Sequence, residues 1–397
     1  MTIFDKFQQL AETRKEMEQC CDSFFNIVMQ KIVSGTEAIV NGRPMILAGS
    51  NNYLGLSFDA DCIEAACDAA RKEGTGTTGS RMANGTFSGH VALERELADY
   101  FNTKEAIVFS TGYVANLAML STLMGTGEVI MLDADCHASI YDGCRMGNAE
   151  IHRFRHNDVQ NLEKRLQRLE KRNTNVLIVV EGLYSMLGDR APLADIVAAK
   201  EKYGAYLLVD EAHSLGVLGD NGRGLAEEAG VENGVDFVVG TFSKSLGAIG
   251  GFCASNHPEL NLVRYASRPY IFTASSSPSV IASTRKALEI IQKRPELRQR
   301  LWDNAKRLYT RLQELDFEMG PELSPIVTVR LEEKTEAFAL WSGLLEQGVY
   351  VNLVFPPATP DGKYLLRSSV SAGHTPEQIT RICQAFTTVK KAATASG

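Results

Sequence analysis

The sequence has no excess of basic residues: 41 Lys and Arg stand against 48 Asp and Glu, giving a net charge of −7. A nucleic-acid binder needs a basic face, so that class of function is excluded. No long apolar run is present either. The most hydrophobic window, 106–124, is interrupted by Ser110, Thr111, Gly112, Asn116, Ser121 and Thr122. It reads as a strand followed by a helix, not as a membrane span. The N-terminus lacks a basic n-region and an apolar h-region, so no secretory signal is expected and a cytoplasmic location is. None of the eight cysteines falls in C-x-x-C spacing, and no histidine cluster completes a zinc set. They read as small buried hydrophobes in a reducing compartment, and no metal is expected. Internal repeats and low-complexity segments are missing as well.

What is present is ordinary globular composition, 44% hydrophobic and 22% charged over 397 residues. A chain of this length can bury one large core and a smaller one. Residues 1–34 are expected to be helical, with Ile3, Phe4, Phe7 and Leu10 near helical spacing. Such a segment packs on a partner subunit or makes peripheral contact with a membrane; the mixed sign of its polar face points to packing. From residue 105 the chain alternates short apolar runs (106–109, 129–132, 176–180, 206–209, 237–239) with helix-like segments such as 159–171 and 192–202. Fully apolar strands alternating with helices mean a parallel sheet covered on both faces. Ligands then lie beyond the strand C-termini. A helical stretch follows from Pro278 to about Leu315, then a smaller α+β segment. The expected division is 1–45 (an N-terminal helical segment), 46–280 (the large domain) and 281–397 (the small one).

Gly74-Thr75-Gly76-Thr77-Thr78-Gly79 fits G-x-G-x-x-G, but a helical run precedes it where a dinucleotide site needs a strand. Asp210-Glu211-Ala212-His213 also occurs in helicase-type ATPases, yet no G-x-x-x-x-G-K-[ST] loop lies upstream. Other polar residues follow the apolar strands. Ser110-Thr111-Gly112-Tyr113 makes a strand-to-helix turn of the kind that accepts a phosphate. Asp135-Cys136-His137-Ala138-Ser139 brings an imidazole. Thr241-Phe242-Ser243-Lys244 brings an amine, 34 positions after Asp210. Buried lysines are costly unless used. An anion cradle, an imidazole, a carboxylate with a second histidine and an amine on one rim are the set that pyridoxal 5'-phosphate (PLP) requires. A carboxylate keeps its ring nitrogen protonated and a lysine forms the imine.

These residues closely resemble the α-oxoamine synthases, fold-type I PLP enzymes, from about residue 45 to the end. The matching motifs include Asn51-Asn52-Tyr53-Leu54-Gly55, Gly79-Ser80-Arg81, Phe109-Ser110-Thr111-Gly112-Tyr113, Glu181-Gly182-Leu183-Tyr184-Ser185-Met186, Val209-Asp210-Glu211-Ala212-His213-Ser214 and Gly240-Thr241-Phe242-Ser243-Lys244. Ser185-Met186-Leu187-Gly188-Asp189 is similar to the soluble bacterial serine palmitoyltransferase group. The resemblance implies an α/β fold: a large domain with a mainly parallel seven-stranded sheet and a smaller C-terminal α+β domain. It also implies a homodimer with shared active sites. The implied reaction joins L-serine to a long-chain acyl-CoA with loss of CO₂, giving 3-ketodihydrosphingosine, the first step of sphingolipid synthesis. In that resemblance Lys244 is the Schiff-base lysine, Asp210 the ring-nitrogen partner and His213 the partner of the ring hydroxyl. His137 stacks on the ring and helps hold the substrate carboxylate. Gly112, Tyr113, Thr241 and Ser243 surround the cofactor, several near its phosphate, and Thr273 reaches the phosphate of the other subunit. Asn52 and Arg367 orient the amino acid.

Two positions depart from the group. Phe355 stands where an arginine usually precedes Pro-Pro-Ala-Thr-Pro and binds the serine carboxylate, which leaves that task to Arg367 and His137. Thr78 stands where the group often has Asn. Two alternatives fit the same residues: a relative using alanine or glycine with another acyl thioester, and a cofactor-binding partner subunit without catalysis.

Overall fold

A computed structural model describes residues 2–20 and 27–396. The apolar runs become the strands of one seven-stranded sheet. They are β4 (Glu105–Phe109), β5 (Val129–Asp133), β6 (Glu150–Phe154), β7 (Val176–Glu181), β8 (Tyr206–Asp210), β9 (Phe237–Thr241) and β10 (Gly251–Ser255), counted after the N-terminal strands β1 (Met29–Ser34), β2 (Glu37–Val40) and β3 (Arg43–Leu47). The spatial order is β4-β10-β9-β8-β7-β5-β6, and β10 alone runs antiparallel to its neighbours. β5, β7, β9 and β10 are buried along their whole length. The sheet is thus covered on both faces, as uninterrupted Val, Ile and Leu runs require. The C-termini of the parallel strands share one rim.

Toward the C-terminus β11 (Ile326–Leu331), β13 (Asn352–Val354) and β14 (Tyr364–Ser369) form a separate antiparallel sheet in the order β11-β14-β13. The two-residue strand β12 (Val349–Tyr350) instead pairs with β3, so the N-terminal hairpins join a four-stranded sheet with a C-terminal strand.

Two expectations need correction. The helix expected over 1–34 spans only Gln8–Cys20, after a short 3₁₀ turn at Asp5–Phe7, and Met29–Ser34 is a strand of the hairpin. Ile3, Phe4, Phe7 and Leu10 lie exposed; residues 21–26 of the expected helix lie outside the described residues. The helical stretch after Pro278 is two helices, Pro278–Lys293 and Glu296–Glu314. The break falls where Pro295 forces Arg294 out of helical geometry, to φ −126° and ψ 65°.

The Gly74–Gly79 segment follows the helix Ala60–Glu73, and Gly74 closes that helix at φ 87°. The strand that a dinucleotide motif needs before it is replaced by a helix. Among the described residues no helix is long and apolar enough to cross a membrane. The described cysteines whose side chains are placed are free; Cys62, Cys136, Cys144 and Cys253 are buried, and Cys67 and Cys383 half-buried.

Candidate active site

The shared strand rim holds a cavity of about 340 Å³ lined by Thr111, Gly112, Tyr113, Asn116, His137, Ser139, Glu181, Asp210, Ala212, His213, Thr241, Ser243, Lys244 and Ile249, among others. The topology delivers them there from the ends of several neighbouring strands. Thr111 and Gly112 follow β4, His137 follows β5, Glu181 ends β7, Asp210 ends β8 and Thr241 ends β9.

Asp210 is buried, and both of its oxygens are occupied. Oδ2 accepts from Asn116 Nδ2 at 2.7 Å and Oδ1 from the Ala212 N–H at 2.9 Å. Asn116 Nδ2 also donates to Ser139 Oγ at 3.0 Å, while Asn116 Oδ1 is buried without a partner. Ser139 in turn meets His137: its N–H donates to His137 Nδ1 at 3.2 Å, and its Oγ lies 2.8 Å from the same nitrogen. With Nδ1 accepting, the proton of the neutral imidazole sits on Nε2. Burial lowers the His137 pKa, and the charge of Lys244 adds to that, against the opposing pull of Asp210.

Lys244 follows β9. Burial lowers its ammonium pKa to about 8, although Asp210 and Glu181 pull the other way. Its neighbour Glu181 pairs with Asp210 across β7 and β8. Burial and the Asp210 charge drive the Glu181 pKa well up, although its Oε1 accepts the His137 N–H at 2.5 Å. His213 is buried with Nδ1 2.7 Å from the Tyr53 hydroxyl, and burial together with Lys244 drives its pKa well down.

At the other end of the cavity, the helix Gly112–Leu123 is capped by Thr111 Oγ1, which accepts the Val114 N–H at 3.0 Å. The N–H groups of Gly112 and Tyr113 are left outside the intrahelical ladder, as an anion site requires. A Cβ on Gly112 would stand 2.7 Å from Thr241 Cβ, so only glycine lets the turn lie against β9. Thr241 Oγ1 lies 2.8 Å from Ser243 Oγ and donates to the Gly250 carbonyl at 3.0 Å. Tyr113 is half-exposed; its hydroxyl bonds Asp142, and its ring meets that of His137 edge-on at 6.5 Å.

Three expected site residues do not line this cavity. Arg367, on β14, is buried beside it: Nε donates to the Ser185 carbonyl at 2.5 Å, and both terminal nitrogens donate to Asn51 Oδ1 at 3.2 Å. Its charge is still felt by Lys244 and His213, lowering the pKa of each. Asn52 turns its amide to Ser57 Oγ at 2.7 Å; its neighbour Asn51 is the residue that meets Arg367. Thr273 lines a separate crevice with Ser110, Arg81 and Tyr270. Sequence reasoning gave Asn116 no role and quoted Ser139 and Glu181 only as parts of motifs. Nothing local marks Asn116 and Glu181, whose contacts with Asp210 and His137 span 94 and 44 positions.

The cavity fits PLP. It holds a buried carboxylate fixed by two donors, an amine pushed toward neutrality and a helix N-terminus with open N–H groups beside two hydroxyls. Among the described residues no group of three or more His, Cys, Asp or Glu is placed to hold a metal.

The comparisons with known proteins agree with this chemistry. The family model described as aminotransferase class I and II matches residues 43–386. The serine palmitoyltransferase of Caulobacter vibrioides is 55% identical over 386 residues, covering 97% of this chain and 96% of that protein. A solved Sphingomonas paucimobilis serine palmitoyltransferase with a bound PLP–myriocin aldimine has a TM-score of 0.97 at 50% identity, covering all of both chains. The Sphingomonas wittichii serine palmitoyltransferase has a TM-score of 0.97 at 49% identity, again over both whole chains.

Proposed function

From the premise that this chain belongs to the class I and II aminotransferase family, among its serine palmitoyltransferases, we propose that it condenses L-serine with a long-chain acyl-CoA, palmitoyl-CoA being the type substrate. CO₂ is lost and 3-ketodihydrosphingosine is released, the first committed product of sphingolipid synthesis. The observation that carries the reading is the meeting of Lys244, Asp210, His137 and His213 around one cavity.

PLP, when bound there, supplies an electron sink for the charge that develops at the amino-acid α-carbon. The chain supplies the rest. Asp210, held by Asn116 and the Ala212 N–H, presents a fixed negative charge at the sheet rim. Lys244 Nζ is the proton carrier: with its pKa near 8, the neutral amine that can take the α-proton is well populated at neutral to mildly basic pH. His137, neutral with Nε2–H, is an uncharged donor for the serine carboxylate. Arg367 adds a positive charge beside the cavity and favours an anionic substrate. Thr241, Ser243 and the turn at Gly112 and Tyr113 take the phosphate.

The assembly is proposed as a homodimer in which Thr273 of one subunit serves the phosphate of the other. In support, Thr273 stands away from its own subunit's cavity, while Phe272, Tyr265 and Ile249 are exposed. The proposed location is the cytoplasm, with peripheral membrane contact through the exposed Ile3, Phe4, Phe7 and Leu10 as the alternative to their packing on a partner subunit.

Mass spectrometry of products from a mixture of amino acids and acyl-CoAs tests the reaction. The expected product is the serine-derived ketone; a product from glycine or alanine alone would replace the substrate assignment. Borohydride reduction of the PLP-loaded protein followed by peptide mapping should place the reduced adduct on Lys244.

A further inference from the structure

Outside the cavity lies a buried charged cluster that the chemistry above does not use. His156, two residues past β6, has both ring nitrogens against carboxylates: Nδ1 lies 2.9 Å from Asp133 Oδ1 and Nε2 lies 2.6 Å from Asp189 Oδ2. Asp133 and Asp189 are almost fully buried. A neutral imidazole carries one N–H and cannot donate in both directions. With both carboxylates ionised, only an imidazolium donates to the two of them at once. The Tyr184 ring packs edge-on against it with centroids 4.5 Å apart. Asp135 Oδ2 is a third negative group, 3.8 Å from Nδ1.

The two carboxylates belong to the loops that carry site residues. Asp133 ends β5 and organises the turn into His137: its Oδ1 also accepts the Asp135 N–H at 2.9 Å and its Oδ2 the Asn157 N–H at 2.9 Å. Asp189 closes the 184–189 turn, where its carbonyl accepts the Tyr184 N–H at 2.9 Å. Its Oδ2 also takes Asn157 Nδ2 at 3.0 Å. That same turn offers the Ser185 carbonyl to Arg367 and the Met186 carbonyl to Thr328 Oγ1 at 2.7 Å.

We propose that His156 is a positioning residue, a cationic clamp that joins the β5 loop to the 184–189 turn and thereby sets His137 and Arg367 in register for the amino-acid substrate. Burial alone would favour the neutral ring, but the hydrogen bonds it donates to the two aspartates raise its pKa to about 10. The ring is thus held in its protonated form at neutral pH. The inference rests on the PLP-dependent reading of the cavity.

The test compares wild type with His156→Gln, which is neutral and carries its donors on a single nitrogen, and His156→Lys, which keeps the charge. In His156→Gln, kcat/KM for serine should fall roughly 10- to 100-fold, because small displacements of positioning groups cost that much, and most of the fall should lie in KM. PLP uptake should persist, and His156→Lys should recover part of the loss. Nitrogen-15 histidine NMR of the protein without added substrate supplies a readout independent of turnover: the His156 ring should be doubly protonated near neutral pH, and the His137 signals should shift in His156→Gln. A singly protonated His156 ring overturns the proposal even if no variant folds. Unmoved His137 signals with unchanged serine kcat/KM overturn it also. Absence of PLP uptake by wild type would instead overturn the reading of the cavity.

Discussion

Asn116 donates to Asp210 at 2.7 Å and, through the same nitrogen, to Ser139 at 3.0 Å, so one amide ties the floor carboxylate to the support of His137. Hydrogen bonds to charged groups contribute roughly 1.5–3 kcal/mol. Asn116→Ala removes a donor from Asp210 and frees Ser139, which should let the carboxylate and the imidazole move independently. Turnover should fall by about tenfold or more, with circular dichroism unchanged. Wild-type kcat in this variant would show that Asp210 and His137 are positioned without it.

Lys244 has its pKa lowered to about 8 by burial. Only the neutral amine attacks an aldehyde. The neutral fraction grows as pH rises through the pKa, so cofactor-free protein should take up PLP faster with rising pH and level off above about 9. Stopped-flow absorbance measures this directly. A rate that is flat through this interval would mean that the amine does not titrate there.

Gly112 lies so close to β9 that an added methyl would stand 2.7 Å from Thr241 Cβ and 2.9 Å from its Oγ1. Overpacking of this kind costs about 1–3 kcal/mol. Gly112→Ala should therefore push the helix N-terminus away from the two hydroxyls and weaken PLP retention by about tenfold or more, measured by equilibrium dialysis, with only a small change in melting temperature. Unchanged retention would separate this turn from the phosphate.

How much of this was legible in the sequence depended on burial. β4, β5, β7, β8 and β9 announce themselves because both sheet faces are covered and each carries an unbroken apolar run. β6 reads Glu-Ile-His-Arg-Phe because it is mostly exposed, unlike β4 at the opposite edge, and it gives no apolar run. β10, Gly-Phe-Cys-Ala-Ser, is built mostly of small residues and does not stand out. Met29–Ser34 passed for helix because it is a largely exposed hairpin strand with no clean alternation. In the site, residues directly following strands were readable because an α/β sheet puts ligands there. Those that act through tertiary contact were not. Asn52 illustrates the limit: its motif drew attention, yet its amide goes to Ser57 while Asn51 holds Arg367. His156 meets Asp189 across 33 positions and has no local signature.

His156 also makes the fold's stability depend on pH in a defined direction. Burial lowers its folded-state pKa, but the hydrogen bonds the ring donates to Asp133 and Asp189 outweigh that and raise it from 6.5 to about 10. The unfolded chain binds its proton only below about 6.5. The stabilisation is therefore fully present below that pH and is lost as pH rises through about 10. The groups facing the ring favour this protonation: Asp133 and Asp135 from the β5 end, and Asp189 with the Tyr184 ring from the 184–189 turn. Wild type should thus lose stability on the order of 3 kcal/mol between neutral pH and pH above about 10, beyond the loss seen in His156→Gln. At neutral pH the variant should unfold at lower urea, because both buried aspartates lose their shared cation. Urea denaturation at the two pH values gives the difference of differences. Parallel pH dependence in the two proteins would show that the ring carries no bound proton in the native state.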